Sequence, residues 1–122
     1  MLKKSHRIRL ESEYKRIFSK GQKVYSPFFI LFITPAQSDN TQAQKTSTRF
    51  GFIASNKVGN AVDRNRAKRV IREIIRLNLV NIKNGFEVVI ILSPKIVGQT
   101  YSVLEKEILN SLRKATLIKN IP

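Results

Sequence analysis

The stretch from Pro27 to Thr34, PFFILFIT, restricts the architecture more than any other, because it is apolar on both sides of an extended backbone. Successive side chains of a strand point to opposite faces, so Phe28, Ile30 and Phe32 face one way and Phe29, Leu31 and Ile33 the other. A strand with one wet face would alternate apolar with polar residues. This one must be covered on both faces, or be covered on one and line an apolar cleft with the other. Pro35 closes it.

Two further strands can flank it. Thr48 to Ser55, TRFGFIAS, carries Gly51 where a second backbone or side chain approaches closely or the strand bulges. Phe86 to Ser93, FEVVIILS, is strongly apolar and is stopped by Pro94, and Val24 with Tyr25 fits an additional short strand. Helices supply the covering layers. Ser12 to Lys20 places Tyr14, Ile17 and Phe18 on one side, with Ser12 as N-cap and Gly21 as terminator. Gly98 to Lys119, N-capped by Thr100, aligns Leu104, Ile108, Leu112 and Ala115. The order α-β-β-α-β-α, in 122 residues of which 42% are hydrophobic, predicts a single α/β domain around one core. Residues 1–9 read as a mobile basic arm, and 36–47, without a large apolar residue, as a flexible loop.

The remaining helix, within Lys57 to Leu79, has two unlike faces. Gly59 frees the backbone to turn, Asn60 caps the first turn, and Asp63 answers it as the acid of a capping box. At about 100° per residue, Ala67, Val70, Ile71, Ile74 and Leu77 fall on one side. Arg64, Asn65, Lys68, Arg69, Arg72 and Arg76 fall on the other. A merely solvated helix face mixes signs and pairs them four residues apart. Here Asp63 and Glu73 lie off the cationic face, so its charge calls for an anionic partner, and guanidinium forks match phosphates and base edges.

Whole-chain charge points the same way: 23 basic residues against eight acidic ones leave +15, which makes a nucleic acid the expected partner. A membrane-surface helix would need an exposed Trp, Phe or Leu face, and no segment reaches the roughly 18 apolar residues of a membrane span. No membrane partner and a cytoplasmic location are therefore expected. The absence of cysteine excludes disulfides, thiolate catalysis and thiol-ligated zinc. His6 is the only histidine and has no nucleophile or carboxylate beside it in sequence. Glu11 with Glu13, and Glu105 with Glu107, diverge, while Asp63 and Glu73 lie about 15 Å apart along one helix. Local spacing thus offers no catalytic residue and no metal site in the polypeptide, and no small-molecule substrate is expected.

The residues Gly59-Asn60-Ala61-Val62, then Arg64-Asn65-Arg66-Ala67-Lys68-Arg69 and on through Ile71 and Arg72, resemble the RNR signature of the bacterial ribonuclease P protein subunit. The similarity spans nearly the whole chain, from the basic arm to the last helix, and includes the RxGFxxS-like strand Arg49 to Ser55. The resemblance implies an α/β sandwich of the ribosomal protein S5 domain 2-like type, with a left-handed β-α-β crossover through the RNR helix. It implies an accessory subunit of an endoribonuclease that removes the 5′ leader of precursor tRNA and leaves a 5′-phosphomonoester, with the Mg²⁺ ions held mainly by the RNA subunit and none by the protein alone. By the same resemblance, Lys57, Arg64, Asn65, Arg66, Lys68, Arg69 and Arg72 meet the catalytic RNA, and Tyr14, Phe18 and Phe32, with Phe28 and Ile30 on the same strand face, hold the single-stranded leader. Asn56 departs from the family, which often has lysine there. A ribosomal or other structural RNA-binding protein and a stand-alone nuclease are the alternatives.

Overall fold

A computed structural model of the chain describes residues 7–8, 11–35 and 47–118. Helix α1 (Glu11–Lys20) leads into strands β1 (Gln22–Tyr25), β2 (Phe29–Pro35) and β3 (Arg49–Ile53). Helix α2 (Ala61–Asn78), strand β4 (Phe86–Leu92) and helix α3 (Tyr101–Lys114) follow, with short 3-10 turns before α2, after it and before α3. The four strands form one sheet in the order β1-β2-β4-β3, antiparallel except for the adjacent parallel pair β3 and β4, which α2 connects.

The two-faced strand is covered twice, as its composition requires. Phe29, Leu31 and Ile33 join Phe50, Val88, Ile90 and Leu92 in a large core closed by α2 and α3. On the opposite face Phe32, Val89, Ile53 and Ile91 meet α1 through the buried Ile17, together with Ile8. This second cluster is small. Only Ile8, Ile17 and Val89 are fully buried in it among the described residues, so the α1 face of the sheet remains partly open.

Several local expectations shift. Ser12 lies inside α1, which starts at Glu11, and does not cap it. Strand β2 starts at Phe29, and Pro35 is its last paired residue, opposite Phe86. Helix α3 is shorter than the predicted span, although Thr100 caps it by accepting a hydrogen bond from the Val103 amide at 3.3 Å. Arg7 and Ile8, expected in a mobile arm, instead dock on the outer edge of β3: the Ile8 amide donates to the Phe50 carbonyl at 2.9 Å, and burial of the Ile8 side chain explains why. The rest of that arm and residues 36–46 of the predicted loop lie outside the described residues.

Leu77, expected on the apolar stripe of α2, is 54% exposed. The buried arc is Ala67, Ile71, Ile74 and Ile75. Leu77 stands about 120° round from Ile71, beyond the reach of both the sheet and α3.

Candidate functional site

At the N-terminus of α2 the Asn60 half of the expected capping box forms, without a return bond from the Asn60 amide to the Asp63 carboxylate. The Asn60 side chain accepts from the Asp63 amide at 2.9 Å. Gly59 has φ of 123°, a backbone state that side chains disfavour, and a Cβ there would come within 2.7 Å of an Asp63 carboxylate oxygen. Arg64 Nη1 donates to the Gly59 carbonyl at 2.7 Å, so one guanidinium of the signature also holds the turn.

Arg64, Lys68 and Arg72 succeed one another four residues apart along the border of α2, and Asn65, Arg66 and Arg69 extend the polar surface beside them. Arg72 lies over the Phe52 ring of β3, 5.4 Å from its centroid, a cation–π contact worth about 0.5–1 kcal/mol at such a site. Lys57 is exposed in the 3-10 turn that precedes the helix. Among the described residues none of Lys57, Arg64, Arg66, Lys68, Arg69 and Arg72 has a carboxylate partner. Arg76 differs. Glu73, expected to lie off the cationic face, reaches it, with Arg76 Nε donating to Glu73 Oε2 at 3.0 Å. That hydrogen bond, with the arginine's charge, holds the Glu73 carboxyl below its ordinary range.

The second surface is the α1 face of the sheet. The Phe18 ring meets Phe32 edge-on at 5.1 Å and tilts against Tyr14 at 6.3 Å. Lys23 Nζ sits 5.5 Å from the Phe32 ring centre. Gly51 serves the close approach that its position in a strand implies, since a Cβ there would fall 2.4 Å from the Tyr14 hydroxyl oxygen. Burial pushes the Tyr14 phenol above its ordinary pKa, opposed by the positive charge of Arg72.

Of the five residues expected in the aromatic cleft, Tyr14, Phe18 and Phe32 come together and Ile30 shares their face in register with Ile91. Phe28 does not. It precedes β2, in a bend where strand alternation no longer applies, and packs with Phe52 against the large core on the other side.

What seats α1 lies in contacts between residues far apart in the sequence, which local spacing does not reveal. Glu87 is completely buried on β4 and accepts hydrogen bonds from Arg16 of α1 and Arg49 of β3, while Arg49 also pairs with Glu13 of α1. Two guanidiniums and two carboxylates thus tie α1 to two strands where the apolar contact is slight. An acid inside FEVVIIL was the available signal, because a buried charge requires partners. Among the described residues no three acidic or imidazole side chains cluster. No helix among them is long and apolar enough to cross a membrane.

A family model described as Ribonuclease P matches residues 2–116. The ribonuclease P protein component of Finegoldia magna is 38% identical over 113 residues, covering 93% of each chain, and that of Clostridium acetobutylicum is 36% identical over 115 residues, covering 94% of this chain and 92% of the relative. Among solved structures, a mutant Staphylococcus aureus RNase P protein with defective mRNA degradation activity superposes with a TM-score of 0.82 at 26% identity, over 94% of this chain and 92% of that one. The Thermotoga maritima RNase P protein gives 0.75 at 28% identity, over 88% and 96%.

Proposed function

Because this chain belongs to the ribonuclease P protein family, the protein component of a tRNA-processing ribonucleoprotein, we propose that it binds the catalytic RNA through α2 and the 5′ leader of precursor tRNA through the α1 face of its sheet. The observation that carries this reading is the row of cations on α2 without carboxylate partners among the described residues, in a chain of net charge +15. Arg64, Asn65, Arg66, Lys68, Arg69, Arg72 and Lys57 meet the RNA subunit, whose phosphates supply the missing anions. Tyr14, Phe18, Phe32 and Ile30 receive leader bases. Stacking on aromatic rings is worth about 1–3 kcal/mol per base and tolerates any sequence, which suits a subunit that must accept many leaders. Phe28 drops out of this set, since it packs on the opposite side.

Hydrolysis of the phosphodiester and the Mg²⁺ that supports it are assigned to the RNA subunit. The polypeptide positions substrate and RNA in the cytoplasm and carries no catalytic residue. Precursor tRNA incubated with the protein, the RNA subunit or both tests this directly. The expected result is no cleavage by protein alone and marked stimulation of the RNA at near-physiological Mg²⁺. Cleavage by the pure protein would make it a nuclease in its own right. A lack of stimulation would leave only a structural RNA-binding role.

A further inference from the structure

On the α1 face, the strand register lines up side chains in rows that cross the sheet. Thr34, Glu87 and Arg49 form one row, closed by the ion pairs to α1. Lys23, Phe32, Val89 and Gly51 form the next, under Phe18, Ile17 and Tyr14. The third row is Tyr25, Ile30, Ile91 and Ile53. Its three isoleucines are half-buried and Tyr25, at the β1 edge, is 65% exposed.

Tyr25 shares its face with Lys23, because Val24 between them points into the large core. Residues two apart on a strand are separated by about 6.6–6.8 Å, so Tyr25 stands one row along from Lys23 and Phe32, whose ammonium and ring centre lie 5.5 Å apart. The turn beyond it is fixed. The Ser26 amide donates to the Phe29 carbonyl at 3.0 Å, the Ser26 hydroxyl donates to Glu107 Oε2 of α3 at 3.2 Å, and the Ser93 amide donates to the Phe28 carbonyl at 2.9 Å. A ring on so fixed a backbone loses little freedom when a flat partner stacks on it.

We propose that Tyr25 is a further stacking platform for the single-stranded leader, holding a base upstream of those at Phe18 and Phe32. The inference rests on the leader-binding reading above and extends it. The place of Tyr25 in the row next to Phe32, with the Lys23 charge on the same face, favours single-stranded RNA as the occupant. Its place along the leader follows from sheet order: α2 reaches the sheet at β3, where Arg72 covers Phe52, and β1 lies three interstrand spacings away, about 14–15 Å. A stacked strand rises about 3.4 Å per nucleotide, so a leader entering beside α2 needs about four nucleotides to arrive at Tyr25.

The test uses holoenzyme reconstituted with the RNA subunit and precursor tRNAs bearing a graded series of leader lengths, from none upward. Tyr25→Ala should weaken binding about 5-fold or more for leaders beyond the threshold and leave shorter ones unaffected, whereas Tyr25→Phe keeps wild-type affinity throughout. Equal affinity of Tyr25→Ala and wild type at every length would overturn the proposal, as would an equal loss at every length including mature tRNA. Phe32→Ala is the control for the underlying reading. If its loss depends on the leader while Tyr25→Ala is flat, only the Tyr25 platform fails. If neither depends on the leader, the cleft itself is misassigned.

Discussion

Replacing Glu87 by glutamine removes the charge about which α1 is seated while keeping the shape of the side chain. Wild-type Glu87 is completely buried and faces Arg16 and Arg49, whose side chains retain 19% and 29% exposure. Breaking a fully buried ion pair costs about 3–5 kcal/mol. Here the stranded guanidiniums keep some water, Arg49 keeps Glu13, and the amide oxygen still accepts one bond, so about 2–3 kcal/mol is expected. At about 2.1 cal/mol/K per residue, 122 residues give an unfolding entropy near 0.26 kcal/mol/K and a fall in Tm of about 8–12 °C. Urea and thermal unfolding in sulfate, which screens the +15 charge, would measure this against Glu105→Gln, a partly exposed carboxylate expected to cost less than about 0.5 kcal/mol. Affinity for leader-bearing substrate should fall as well, since α1 carries Tyr14 and Phe18. A loss below about 1 kcal/mol, or one equal to the control, would refute the claim that these ion pairs hold the helix.

Arg69→Ala, exposed and off the apolar arc, should weaken binding to the RNA subunit with unchanged Tm, and should reduce the slope of log affinity against log salt by about 0.7–0.9 for each phosphate that the guanidinium neutralises. Unchanged affinity and slope would remove that residue from the interface. Gly51→Ala drives a methyl group into the Tyr14 phenol, so a loss of about 1–3 kcal/mol in stability and weaker leader binding are expected; a variant matching wild type in both would show that the close approach has no role. Burial raises the Tyr14 pKa, so from about pH 10 upward the unfolded chain releases this proton while the folded chain keeps it, and stability declines as pH rises. Tyr14→Phe should make that alkaline decline shallower without abolishing it, because the Tyr101 phenol is raised too, chiefly by desolvation and by Glu105. An identical slope in the variant would contradict the assignment.

The helices, two of their three expected caps and the two-sided strand were legible in the chain because neighbours in sequence fix them. Asn60 and Thr100 cap as their positions indicate, and the spacing of Arg64, Lys68 and Arg72 aligns them on any α-helix. Periodicity likewise separated Phe32 from Phe29 and Leu31. It failed where regularity stops: Phe28 stands one residue ahead of its strand and turns into the other core.

What covers each element was settled only by distant parts of the chain. Leu77 is exposed because the layers on α2 end before its position, and Ile75 is buried because they extend that far on the other side. Glu87 meets Arg16 from 71 residues away and Arg49 from 38, and Tyr25 enters a row with Ile91 only through β2. The sequence determined the local repeat of every element, since covalent geometry and backbone hydrogen bonding set it within a few residues. The tertiary structure alone decided which charges are paired, which rings meet and which face stays open, because those depend on strand register and layer boundaries that no local window contains.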